Sequence, residues 1–364
     1  MAVSVDARTF RDLLADPMAA ETLSAATGCP LVVVEISSGA EGGLLSYLDT
    51  AVPAVVAVVS ADPGWLPAAA FAAADVVITE ADNPSPPFVR PADGVAAGVA
   101  AIGAALECNP VAGTALALQL RGTSELDVSA GLVAESATYS ALQAGAEFGR
   151  WRASRPARSP EPGTMRVRVE RSGSEMRIVL ARPARRNALD WRMRDELTAA
   201  LAQAAAERGI RVVLDADGPD FCAGGDLNEF GSRPDPATAH LVRLTRSPAL
   251  LMHRLAARTT AYLYGACLGA GVELPAFASR VIAAPDTRLG LPEISLGLVP
   301  GAGGTVSLPR RIDRWRTAFL ALTGQHLDAE QALRWGLVDA VEPAATEPAA
   351  VVQPRPATRP DLEQ

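Results

Sequence analysis

Short apolar strands alternate with amphipathic helices between residues 165 and 341. Residues 166–170 alternate apolar and polar positions, and a second short strand follows at 176–180 after a glycine turn. Residues 189–206 carry apolar side chains at helical spacing, and Asp190 is placed to cap the first turn. Further strands are predicted at 210–214, 262–263 and 281–284. This order predicts an α/β domain with helices packed on short sheets.

Proline-rich segments divide the chain. Prolines between residues 155 and 164 remove amide donors and fix φ, which predicts a linker. Proline and alanine without periodicity from residue 342 to residue 364 predict a disordered tail. We therefore expect an N-terminal domain over 1–154, a linker over 155–164, a catalytic domain over 165–341 and a tail over 342–364.

Composition narrows the function classes. The chain has 364 residues and a net charge of −8, which argues against binding nucleic acid. We find no signal peptide and no convincing membrane span, and the four cysteines are scattered as in a reduced protein, so a cytoplasmic location is expected. The three histidines lie far apart in the sequence, so we predict no metal site.

Two glutamates stand 20 residues apart in glycine-rich surroundings, Glu273 within 264–274 and Glu293 within 289–305. Upstream, residues 221–227 read FCAGGDL. Glycine lets backbone amides approach a ligand, and the amides of Gly225 and Ala270 are candidates to hold a carbonyl oxygen. Ala270 is predicted to begin a helix through Glu273, which would leave its amide unbonded and place the carboxylate on the same side, one turn later.

Five blocks together resemble the crotonase (enoyl-CoA hydratase/isomerase) family. They lie in the family's order at residues 182–189, 221–227, 265–274, 291–305 and 335–338. The resemblance implies a crotonase-like ββα spiral, an oxyanion hole from Gly225 and Ala270, water activation by Glu273 and proton delivery by Glu293. It implies no metal or redox cofactor, with coenzyme A as part of an acyl-CoA substrate. It also implies a homo-oligomer (trimer or hexamer) or a complex with another crotonase-like subunit.

The resemblance further indicates the residues that contact substrate and coenzyme A: Arg185, Arg186, Ala188, Ala223, Asp226 and Leu227. A solvated turn is the alternative for the two arginines. Asp226 is expected mainly to brace its loop, and residues 301–304 (GAGG) are interpreted as a structural turn.

Three functions stay open. The leading one is hydration of a 2-enoyl thioester by both glutamates. A Δ3,Δ2-enoyl-CoA isomerase would use Glu293 alone. A non-catalytic acyl-CoA-binding or assembly subunit gains weight from Pro275, which could kink the helix that carries Glu273, and from the absence of the family's usual terminal helices after residue 338. The residues do not choose between coenzyme A and an acyl-carrier protein.

The N-terminal 150 residues are interpreted as a degenerate, non-catalytic second crotonase-like copy. Residues 54–59, 65–68 and 75–78 parallel residues 260–263, 273–276 and 280–283, which puts Trp65 in the place of Glu273. Residues 116–122 and 130–133 similarly echo 319–324 and 335–338, but no counterpart of Glu293 is visible. The segment 135–152, with Tyr139, Phe148 and Trp151, is expected to close the acyl pocket unless a partner subunit does so.

Overall fold

The computed structural model describes residues 2–48, 51–123, 125–155, 165–232 and 235–343. Most of the predicted linker and tail, residues 156–164 and 344–364, lies outside the described residues. The boundaries of the four predicted segments therefore remain predictions.

The N-terminal half begins with a parallel sheet whose strands follow the chain order: β1 (Ala2–Asp6), β2 (Leu31–Ile36), β3 (Val55–Ser60) and β4 (Val76–Ile78). Helices α1 (Ala7–Leu14), α2 (Ala19–Thr22) and α3 (Gly39–Leu44) connect the first three strands. Successive side chains of a strand point to opposite faces, so the sheet serves two cores. Val33 and Ala57 face a central core, whereas Val32 and Val56 face a smaller outer one.

Four helices follow the sheet: α4 (Val95–Cys108), α5 (Pro110–Thr123), α6 (Val128–Gln143) and α7 (Ala146–Ala153). Their apolar faces join the central core, which runs without a break from Leu31 and Leu116 to Phe319 and Leu322. Among the described residues no single helix is long and apolar enough to cross a membrane. Helices α4 and α5 meet that test only as a pair, and the chain bends by 115° between them.

The C-terminal half contains two further sheets. The larger has the order β13 (Ala340–Val341), β10 (Arg280–Ala283), β8 (Thr259–Leu263), β7 (Arg211–Ala216), β6 (Glu175–Leu180), β5 (Val167–Ser172). Its strands pair in parallel except for the β5–β6 hairpin. The smaller sheet has the order β12 (His326–Asp328), β11 (Arg288–Gly290), β9 (Ala266–Leu268). The strands predicted from the sequence are confirmed within about three residues at each end.

The helices of this half are α8 (Trp191–Ala206), α9 (Pro236–Thr245), α10 (Pro248–Leu255), α11 (Ala270–Glu273), α12 (Gly304–Ser307), α13 (Pro309–Thr323) and α14 (Ala329–Trp335). The Asp190 carboxylate accepts the Met193 amide at 2.8 Å, which confirms the predicted cap of α8. The α/β class is confirmed.

The two halves share part of their topology. Strands β3 and β4 pair in parallel as β8 and β10 do, and a 3₁₀ turn at Pro63–Trp65 lies between β3 and β4. The predicted match between residues 130–133 and 335–338 is wrong. Residues 130–133 lie inside α6, whereas Trp335 ends α14 and residues 336–338 form a turn. Duplication therefore stays a prediction.

Candidate active site

Parallel pairing of β9 with β11 brings the two predicted acids together. Leu268 is opposite Gly290 in this register, so both strands end at the same edge of the small sheet. Helix α11 follows β9 after Gly269 and ends at Glu273, and a 3₁₀ turn over Glu293–Leu296 follows β11. Two carboxylates that are distant in the sequence thus lie beside one pocket.

The same edge also receives the glycine-rich loop at residues 221–227. The Leu268 amide donates to the Cys222 carbonyl at 2.9 Å, and the Cys222 amide donates to the Ala266 carbonyl at 3.1 Å. These bonds pair Cys222 with Cys267, and three residues beyond each of them stand Gly225 and Ala270, which both line the pocket. Neither amide donates a hydrogen bond to any residue that the structure describes. Both remain available to a ligand oxygen.

Glu273 is buried, with 2% of its surface exposed. Its Oε2 accepts hydrogen bonds from the Ala302 amide at 2.7 Å and the Gly304 amide at 2.8 Å. Burial raises the pKa of Glu273 to about 7, although these two amides act in the opposite direction. Pro275 begins a separate 3₁₀ turn after α11 ends, so the expected helix kink does not occur and Glu273 lines the pocket.

Glu293 is 8% exposed, and its Oε2 has no hydrogen-bond partner among the described residues. Burial raises the pKa of Glu293 well above its ordinary value, and the charge of Glu273 raises it further. The other oxygen, Oε1, lies against Gly269, whose φ is +50°. A side chain at that position would adopt a strained backbone and collide with the carboxylate, so glycine is required there.

The pocket has a volume of about 770 Å³. Helix α6 of the N-terminal half forms part of its wall through Leu132, Glu135, Ser136, Tyr139 and Gln143, which follow helical spacing. Phe148 and Trp151 of α7 stack with centroids 5.5 Å apart, and Trp151 lies 6.1 Å from the Phe230 ring of the facing loop. The part of the predicted segment that lies in α6, residues 135–143, thus forms part of the pocket wall. That residues 144–152 also close the pocket stays a prediction.

Sequence reasoning missed a third buried carboxylate, Glu135. It is 2% exposed, and its Oε1 accepts the Gly303 amide at 2.7 Å. Its Oε2 accepts the Thr305 amide at 2.9 Å and the Thr305 hydroxyl at 2.8 Å. Burial raises the pKa of Glu135 to about 8, with a further contribution from the charge of Glu273. A signal was present, because Glu135 is a lone acid on the apolar face of α6.

A second opening of about 550 Å³ continues outward from Gly225 and contains most of the predicted coenzyme A contacts. It is lined by Arg185, Ala188, Ala223, Asp226 and Leu227, together with Arg152 of α7 and Arg155 just after that helix.

Two of the predicted contacts have other partners. Arg186 does not line either opening; its guanidinium pairs with Asp220 at 2.7 Å, so its position does not support a phosphate contact. The Asp226 carboxylate lines the opening but pairs with Arg182 at 2.8 Å and accepts the Asn228 amide at 3.0 Å. Asp226 therefore braces its loop.

Comparison with known proteins identifies the group to which this site belongs. The family model for enoyl-CoA hydratase/isomerase matches residues 170–352. The 2,3-dehydroadipyl-CoA hydratase of Escherichia coli (strain K12) is 37% identical over 180 residues, which cover 48% of this chain and 69% of that protein. The chain belongs to the enoyl-CoA hydratase/isomerase family. This is a family of enzymes, and the resemblance of residues 165–341 is confirmed.

Solved structures of the enoyl-CoA hydratase/isomerase family are similar over the same half. The enoyl-CoA hydratase of Thermoplasma volcanium GSS1 is 37% identical, with a TM-score of 0.46, over 49% of this chain and 72% of that one. A putative enoyl-CoA hydratase from Thermobifida fusca YX, solved in complex with CoA, is 30% identical, with a TM-score of 0.45. The match covers 50% of this chain and 73% of that one. Helix α6 and Glu135 lie outside the residues that the family model matches.

Proposed function

We propose that the chain is an enoyl-CoA hydratase, which adds water across the 2,3 double bond of an enoyl thioester. The observation that carries this proposal is the meeting of two buried carboxylates and two unbonded amides at one pocket. Because the carbonyl oxygen of the thioester gains negative charge as the β-carbon is attacked, the amides of Gly225 and Ala270 would stabilise the transition state more than the substrate.

The carboxylates divide the proton transfers. Glu273, as the base, takes a proton from water, and the hydroxyl forms a bond to the β-carbon. The electrons of the double bond move onto the thioester carbonyl oxygen, which the two amides hold. Collapse of this enolate takes a proton from Glu293 onto the α-carbon, so water is added in full. Proton transfer then returns both acids to their initial states.

The raised pKa values favour this assignment. At neutral pH Glu273, whose pKa is about 7, is partly ionised and able to act as a base. Burial raises the pKa of Glu293 well above its ordinary value, which favours the protonated form that a general acid needs. Pairs of carboxyl groups whose environments separate their pKa values are typical of acid–base catalysis.

The substrate is proposed to be an acyl-CoA. Support comes from the family and from the name of the Escherichia coli relative, whose substrate is 2,3-dehydroadipyl-CoA. The outer opening brings Arg185, which has no ion pair among the described residues, beside Ala188 and Leu227, as a phosphate-bearing carrier requires. No metal or redox cofactor takes part in the proposed steps. We extend the proposal to a cytoplasmic enzyme that forms a homo-oligomer or a complex with another subunit of its family.

The direct test follows the absorbance of a conjugated enoyl-CoA in wild type, Glu273→Gln and Glu293→Gln. We expect turnover by wild type and a loss of about 10²–10⁴-fold in kcat for each variant. Glu330→Gln, an exposed substitution in the same half, serves as the matched control and should stay within about twofold of wild type. An inactive wild type, or full activity in either active-site variant, would contradict the proposal.

An isomerase is the second candidate, because Glu293 Oε2 is unpartnered whereas both hydrogen bonds at Glu273 go to one loop. An isomerase would move a proton between two carbons with Glu293 alone. Product analysis with a 2-enoyl and a 3-enoyl thioester separates the two reactions. A non-catalytic binding subunit would bind both thioesters and convert neither.

A further inference from the structure

Glu135 comes from the half of the chain that the family model does not match, yet it lies in the wall of the active-site pocket. Its two oxygens accept three hydrogen bonds from Gly303 and Thr305. A buried carboxylate is costly unless donors surround it, so these contacts hold both the acid and the loop in place.

Residues 302–305, the short stretch that leads into α12 and is called the 302–305 loop here, donate their backbone amides alternately to two acids. Ala302 and Gly304 donate to Glu273, whereas Gly303 and Thr305 donate to Glu135. The four successive amides of residues 302–305 are therefore shared between the two carboxyl groups. A displacement of the loop away from Glu135 would move the two donors that orient Glu273.

Helix α6 is itself anchored close to Glu135. The Tyr139 ring packs against Gly301 so closely that a Cβ at residue 301 would collide with it. Ser136, next to Glu135, bonds His240 at 2.9 Å and accepts Arg243 Nε at 3.0 Å, both from α9. Because these contacts fix α6, Glu135 on that helix holds the loop in a fixed position.

Several ionisable groups surround Glu135. Glu273 and Glu293 lie on the catalytic side, Tyr139 on the same helix, and Arg243 and His240 on α9. Tyr139 has a raised pKa because of burial and stays protonated at neutral pH. Arg243 lines the same pocket as Glu135, Glu273 and Glu293.

We propose that Glu135 is a positioning residue: it fixes the 302–305 loop and, through that loop, the carboxylate of Glu273. The N-terminal half thus sets the geometry of the catalytic base and does not only cover the pocket. The kinetic part of this proposal rests on the proposed hydratase activity, whereas the structural part does not.

The test compares Glu135→Gln with a matched control, Glu147→Gln. Glu147 is also a buried acid of the N-terminal half, and it also accepts two backbone amides, Val111 at 2.8 Å and Ala112 at 2.9 Å, but it does not line the pocket. In each variant the new NH₂ group would face a backbone donor. We expect kcat to fall about tenfold in Glu135→Gln alone, with KM changed less than about threefold, because only the base is misplaced.

A second variant, Glu135→Asp, keeps the carboxyl group but draws it away from the loop. We expect a similar fall in kcat, which distinguishes positioning from a purely electrostatic effect. Equal kcat values for wild type and both Glu135 variants would overturn the proposal, as would an equal loss in Glu147→Gln.

Amide hydrogen exchange gives a readout that needs no activity. The amides of residues 302–305 should exchange faster in both Glu135 variants than in wild type or Glu147→Gln. Unchanged exchange of this loop would overturn the positioning role whatever the kinetics show. An inactive wild type with faster loop exchange in the Glu135 variants would instead contradict the proposed hydratase function and support the positioning role.

Discussion

The two halves of this chain contain similar pairs of parallel strands, but the segments between those strands differ. In the C-terminal half, the segment between β8 and β10 contains β9 and α11, which present the Ala270 amide and Glu273 to the pocket. In the N-terminal half, the segment between β3 and β4 contains only short 3₁₀ turns, and Trp65 packs on the outer core, away from the pocket. The presence of a small sheet at this point thus distinguishes a half that supplies chemistry from one that does not.

The N-terminal half contributes in another way. Its helices α4 to α6 share one core with the C-terminal half, and α6 forms part of the pocket wall. Helices that precede the catalytic residues in the chain therefore pack beside those residues. The contrast teaches that a half without the two catalytic glutamates can still shape the site of its neighbour.

The largest expected effect separates two positions that the sequence aligns. Glu273→Gln should lower kcat by about 10²–10⁴-fold because it removes the base. Trp65→Phe should leave kcat within about twofold, since the ring faces the outer core. Steady-state kinetics on an enoyl-CoA measure both, and a loss of activity in Trp65→Phe comparable to that in Glu273→Gln would break the division between the halves.

A smaller effect on kcat is expected at the contact between Tyr139 of the N-terminal half and Gly301 of the C-terminal half. Gly301→Ala places a Cβ against the Tyr139 ring, so α6 and the 302–305 loop must separate, and we expect kcat to fall about tenfold. Gly122→Ala is the matched control, because a Cβ there meets nothing within 4 Å and alanine favours the helix. Equal activity of the two variants would show that this contact does not shape the site.

The pH dependence of kcat/KM tests the acid–base assignment. Activity should rise with pH as Glu273 ionises, with a midpoint near pH 7 because burial raises its pKa to about 7. It should fall at higher pH as Glu293, whose pKa is raised well above its ordinary value, loses its proton. Because Glu273 and Glu293 interact, each midpoint of the pH profile describes the pair of carboxyl groups and not one residue alone. An acidic limb centred near pH 4.5 would contradict a buried base.

The smallest expected effect concerns stability. The carboxyl groups of Glu135, Glu273 and Glu293 have raised pKa values, so between about pH 4.5 and pH 8 the folded chain binds more protons than the unfolded chain. The free energy of unfolding should therefore fall as pH rises through this range. Calorimetry at pH 5.5 and pH 8 should show a smaller fall in Tm for Glu293→Gln, by a few degrees, than for wild type.

The exposed substitution Glu330→Gln should retain the full wild-type fall in Tm. The same fall in Glu293→Gln would contradict the attribution to that buried acid.

The sequence predicted the catalytic half well because its signals are local. Glycines mark the turns around Glu273 and Glu293, a capping aspartate precedes α8, and the strands show clear periodicity. The role of Glu135 was not predicted, because it depends on contacts with residues that are 168 and 170 positions away in the chain. The position of Arg186 was not predicted either, since its ion pair with Asp220 forms only after the loops fold together.

The most direct test of the shared site compares the full chain with a chain that begins at Met165. Removal of the N-terminal half takes away α6 and exposes the apolar face that packs on it, so the shorter chain alone should show less than about one hundredth of the full hydration rate. A shorter chain that stays folded and hydrates an enoyl-CoA at the full rate would contradict the account.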